Sequence, residues 1–119
     1  MTTTRPPLSL HIQKCLIDRA KSQFPIEACG FIMNSADPDT DVFIIDVPNV
    51  AKRPEHSFLM NEDHQRLVYS DEDNLLGMWH THPHGPEGPS ETDLKFFPPG
   101  LRCWVATQNA VYEYNMETT

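Results

Sequence analysis

The sequence predicts an α/β domain: a mixed β-sheet flanked by helices. Three observations lead there. Apolar residues recur at helical spacing in two stretches, each opened by a capping residue. Short runs rich in β-branched and aromatic residues lie between Gly, Pro and Asn turns. The resulting order is helix, three strands, helix, strand, short helix, two strands, which suits a mixed sheet with helices covering it. A chain of 119 residues fits one domain. Residues 1–8 read as a flexible leader without an apolar signal core, and residues 9–116 as the single domain.

Ser9 can cap a helix that runs to Ser22. Ile12, Leu16 and Ala20 form its buried stripe, with Cys15 beside them and Lys14, Asp18 and Lys21 outside it. Glu27 to Met33 reads as a strand. Ala28, Gly30 and Ile32 face one way; Glu27, Cys29 and Phe31 face the other. The turn residues 34–40 and the apolar run Val42 to Val47 predict an antiparallel partner. After a loop from Pro48 to Pro54, Ser57 to Met60 is expected as a short strand. Asn61 then caps a second helix to Tyr69, with Met60, His64, Leu67 and Val68 as its apolar stripe. Leu75 to Thr81 is a buried strand, closed by Pro83, which cannot donate to a ladder. A short helix from Ser90 to Phe97 follows. Leu101 to Ala106 is a buried strand, and residues 110–114 alternate as an edge strand should.

Composition narrows the function classes. Seventeen acidic residues against nine basic ones give a net charge of −8. That argues against nucleic acid and against an anionic membrane surface as partners. No stretch approaches the ~20 apolar residues of a membrane span. Cys15, Cys29 and Cys103 are odd in number and sit in apolar segments. They read as buried thiols in a reducing, cytoplasmic compartment.

The chemistry concentrates in Gly77-Met78-Trp79-His80-Thr81-His82-Pro83 and Ser90-Glu91-Thr92-Asp93. Along a strand Leu76, Met78, His80 and His82 share one face, so two imidazoles project side by side. Asp93 falls in the first turn of the helix capped by Ser90. Two His and one Asp suit zinc, with a fourth position left for water. Taken alone, paired His residues are a weak signal, and Ser90 with Asp93 equally describes a helix start. His84 continues the alternation as a rival third ligand, but Pro83 frees it from the strand's face.

Glu27, then His80-Thr81-His82-Pro83, six residues, and Ser90-Glu91-Thr92-Asp93 resembles the signature of JAMM metalloproteases, the catalytically competent JAB/MPN domains. Pro25 to Phe31 resembles the segment around that family's Glu, and the likeness spans residues 9–115. It implies a cytidine-deaminase-like α/β core. It also implies zinc on His80, His82 and Asp93, Glu27 as acid–base and Ser90 as a donor to the oxyanion. Zinc would lower the pKa of a bound water from ~15.7 towards ~7. The implied activity is hydrolysis of a peptide or isopeptide bond. The short chain looks like the compact prokaryotic and phage members. Its expected partner is then a protein or peptide substrate: a ubiquitin-like protein, a phage tail protein or a cell-wall peptide. Host cytoplasm or a virion would be its place. A zinc deaminase is disfavoured because His-x-Glu with Pro-Cys-x-x-Cys is missing. The alternatives are a non-catalytic MPN-type scaffold and a cysteine hydrolase built on Cys29.

Overall fold

The structure is a computed structural model that describes residues 8–35, 42–71, 73–85, 87 and 101–115. Helix α1 spans Leu10–Ser22 and is capped by Ser9, whose side chain accepts from the Ile12 amide at 3.2 Å. Strands β1 (Cys29–Asn34) and β2 (Val42–Val47) follow, then helix α2 (Glu62–Tyr69), capped by Asn61. Strands β3 (Leu75–Thr81), β4 (Arg102–Ala106) and β5 (Val111–Asn115) complete the described elements.

The five strands form one mixed sheet in the order β2-β1-β3-β4-β5. Only β3 and β4 run parallel; the other three pairings are antiparallel. The α/β expectation therefore holds, with β5 at an edge as its alternation suggested. Apolar side chains fill both faces. On one face Leu8, Ile12, Leu16, Ile32, Trp79, Trp104 and Ala106 pack together, so α1 covers it. On the other, Cys29, Phe31, Met33, Met60, Val68, Met78 and Cys103 pack together under α2. Leu8, which the sequence groups with the leader, is buried in the first of these clusters.

Two glycines allow the sheet and its tryptophans to close up. A Cβ on Gly77 would run into the Arg102 carbonyl oxygen and the Trp104 ring. One on Gly30 would run into the Ile45 carbonyl oxygen and the Trp79 ring. Polar ties fasten the edges. Arg19 of α1 pairs with Asp46 of β2 through two bonds of 2.6 and 2.9 Å. Arg102, buried in β4, pairs with Glu113 of β5 at 2.9 and 2.6 Å.

Several local expectations need correction. Residues 57–60 are not a strand: Asn49, not a sheet partner, bonds the Ser57 carbonyl and the Leu59 amide. In α2, His64 and Leu67 are exposed, and Met60 and Val68 make the buried contact. Leu76 does not share the face of Met78. The β1–β3 register slips between Ile32↔Gly77 and Met33↔Leu75, so Leu76 is passed over and packs on the α1 side. Cys15 is half-buried rather than buried. The expected turn over 34–40 lies largely, and the helix from Ser90 to Phe97 wholly, outside the described residues.

Candidate metal centre

The antiparallel pairing of β1 with β3 brings the start of one strand to the end of the other. Cys29 pairs with His80, and continuing that register by two residues sets Glu27 opposite His82. Glu27 itself precedes β1 instead of opening it. Its amide donates to the Pro54 carbonyl at 2.7 Å, and its carbonyl accepts from Asn49 Nδ2 at 2.8 Å. Next to it, the Ala28 amide donates to Thr81 Oγ1 at 2.8 Å, and the Thr81 amide donates back to the Ala28 carbonyl at 2.9 Å. The His82 amide donates to the Ala106 carbonyl at 2.9 Å, so the parallel ladder reaches one residue past β3 before Pro83 ends it.

Alternation then sets Glu27, His80 and His82 on the same face as Cys29 and Met78. One ligand atom from each of the three lies within 4.8 Å of the others. All three are buried: Glu27 is 7% exposed, His80 0% and His82 6%. The Nε2 atoms of His80 and His82 are 3.0 Å apart. At that distance neutral rings share an N–H···N bond, and the same separation suits one ion. Two nitrogens each ~2.0–2.1 Å from a tetrahedral metal stand roughly 3.3 Å apart. The donor set of two imidazoles and a carboxylate fits a divalent cation of the zinc type. Phe58 stacks on His80, with ring centroids 4.6 Å apart, and so limits its rotation.

His84 lies elsewhere. Its exposed ring packs near Phe24, at 5.2 Å between centroids, and His56, at 6.3 Å. It does not join the Glu27, His80 and His82 group. Ser90 and Asp93 lie outside the described residues. Burial pushes the Cys29 thiol up to about 12, with the Glu27 charge adding to the shift. Cys29 is also buried in the strand with its thiol donating to the Val47 carbonyl at 3.4 Å, which weighs against a cysteine hydrolase built on it. An open depression between the end of α1 and the start of β1 is lined by Arg19, Ser22, Ile26, Glu27, Asp46 and Asn49, among others. Glu27 borders it while His80 and His82 do not, so it flanks the centre and does not contain it.

Sequence reading missed three supports of this centre. Asn49 lies in a loop and Phe58 in a segment that reads as a strand, and their contacts depend on how that loop closes. Thr81 sits between the two His residues, but its use as an acceptor depends on which strand neighbours β3.

Fold and site together define an α/β domain with a buried His–His–carboxylate group suited to a divalent metal. The family profile described as prokaryotic homologs of the JAB domain matches residues 10–118. The chain belongs to that family, and its sheet and helices are those of a JAB/MPN fold. Two solved structures share the fold. One is a protein from Desulfitobacterium hafniense, at 24% identity and a TM-score of 0.60, matched over 86% of this chain and 84% of that one. The other is a protein from Salinibacter ruber, at 20% identity and a TM-score of 0.54, matched over 90% of this chain and 79% of that one. A comparison with curated proteins found no match. Among the described residues, no helix is long and apolar enough to cross a membrane.

Proposed function

We propose that this protein is a zinc-dependent peptidase or isopeptidase of the compact prokaryotic or phage type. The observation behind the proposal is the buried meeting of Glu27, His80 and His82. His80 and His82 would hold the ion, with Asp93 as third ligand by its place in the motif. When bound, zinc supplies Lewis-acid polarisation of the carbonyl and a water acidic enough to react at neutral pH. Glu27 takes the proton of the attacking water and returns it to the leaving amine. Its place beside the two imidazoles, with ligand atoms of the three within 4.8 Å of one another, puts it within reach of a water held there. Ser90 donates to the developing oxyanion. The proposed partner is a protein or peptide: a ubiquitin-like protein, a tail protein or a cell-wall peptide. Tail assembly in a virion or work in the host cytoplasm would each provide one.

The test is Glu27→Gln, which keeps shape and removes the base. Zinc content and thermal stability should stay near wild type, while hydrolysis across a panel of those three substrate classes falls by ~10²-fold or more. Loss of zinc as well would make Glu27 a ligand, or a support that holds a ligand in place. A zinc-loaded wild type silent on the whole panel would favour a non-catalytic scaffold.

A further inference from the structure

Glu87 follows His82 by five residues and is exposed, yet both oxygens of its carboxylate are engaged. Oε2 accepts from Thr107 Oγ1 at 2.8 Å and from the Tyr112 hydroxyl at 2.9 Å. Oε1 accepts from Asn109 Nδ2 at 3.0 Å. The three donors belong to the β4–β5 turn and to β5. The turn is internally braced: Thr107 is 3% exposed, and its Oγ1 also accepts the amides of Asn109 at 3.1 Å and Ala110 at 3.2 Å. One residue earlier, the Ala106 carbonyl takes the His82 amide. The chain from His82 to Glu87 is thus fastened at both ends to the same end of β4. Between the two ties the described residues are Pro83, His84, whose exposed ring lies near Phe24 and His56, and Gly85 at φ 78°.

We propose that Glu87 is a positioning residue for the metal centre, resting on the reading of His82 as a ligand. By clamping the chain to Thr107, Asn109 and Tyr112, Glu87 holds the His82 backbone at the angle from which its imidazole meets that of His80. A carboxylate is needed because three donors converge on two oxygens. An amide in its place would keep one acceptor, and the Asn109 amide or the Tyr112 hydroxyl would have to turn to accept from its NH2. Glu87 does not touch the ion; it acts through five residues of backbone.

The experiment measures zinc affinity of the full chain by chelator competition, with the visible spectrum of the cobalt-loaded protein as a second readout. Glu87→Ala should lose ~10-fold or more in affinity, the scale seen when a ligand's support is removed. Its cobalt bands should shift, and the metal-free protein should unfold within a few degrees of wild type. Tyr112→Phe should lose less, and should add nothing in the Glu87→Ala background, since both break the same clamp. Wild-type affinity and an unchanged cobalt spectrum in Glu87→Ala would overturn the inference while leaving the metal centre standing. A wild type that takes up neither metal would overturn the centre itself and the inference with it.

Discussion

At the scale of single residues, the centre depends on side chains that satisfy backbone groups around it. Thr81 shows this most directly. It is fully buried between His80 and His82, and its hydroxyl accepts the amide of Ala28, next to Glu27. Thr81→Val keeps the volume and leaves that amide without its acceptor. The expected cost is ~1–3 kcal/mol, read from the urea unfolding midpoint. Unfolding at the wild-type midpoint would show that the bond does not support the strand ends. Asn49 does similar work from the loop. Its Nδ2 donates to the carbonyls of Glu27 and Ser57, and its Oδ1 accepts the amides of Ala51 and Leu59. One amide side chain therefore sets the loop that carries Phe58 against the segment that carries Glu27. Glu87 uses the same logic with a charge. Its pKa is lowered by its bonds to Asn109, Thr107 and Tyr112, so its ionised form is the one the turn selects.

At the scale of elements, β3 is the member on which the others depend. It is flanked by β1 and β4, and its side chains face both helices. Its parallel register with β4 pairs Gly77 with Arg102 and Trp79 with Trp104. The close approach requires glycine at the first of these positions. Gly77→Ala places a methyl group against backbone rather than against a flexible side chain, and the strands must part. Overpacking of this kind costs ~1–3 kcal/mol or more. The melting temperature should fall by several degrees, and zinc uptake should fall with it, because the same ladder carries His80 and His82. An Ala variant as stable as wild type would mean that the ladder can slide without cost. The slip at Leu76 lies before Gly77, so the register is already regular where the two His residues emerge.

At the scale of the whole molecule, the centre joins parts of the chain more than fifty residues apart. Glu27 comes from the approach to β1, while His80 and His82 come from the end of β3. An ion held by His80 and His82 binds the folded state in preference to the unfolded chain, so it should raise stability by mass action. At a free zinc concentration about 100 times Kd, the gain is ~2.7 kcal/mol. Titrating zinc should raise the melting temperature, and a chelator should reverse it. His80→Ala should respond to neither. A wild-type melting temperature indifferent to both reagents would count against metal at this site.

Much of this was legible in the residues because it is local. The α1 stripe, the Ser9 and Asn61 caps, the bounds of β2 and β3 and the shared face of His80 and His82 follow from periods of 3.6 and 2 and from turn chemistry. The motif that joins Glu27 to the His pair was legible too, as a resemblance. Its contact was not, because spacing along the chain says nothing about which strand lies beside which. The tertiary structure decided that β1 runs antiparallel beside β3, and this pairing turns a Glu at one strand's start and two His at another's end into a single buried cluster. It also decided the slip at Leu76, the irregular path of residues 57–60 and the exposure of Leu67. Each reflects packing between distant segments overriding local preference. Glu87 is the sharpest case. In the sequence it is one acidic residue among Gly and Pro; only the folded β4–β5 turn supplies the three donors that engage it.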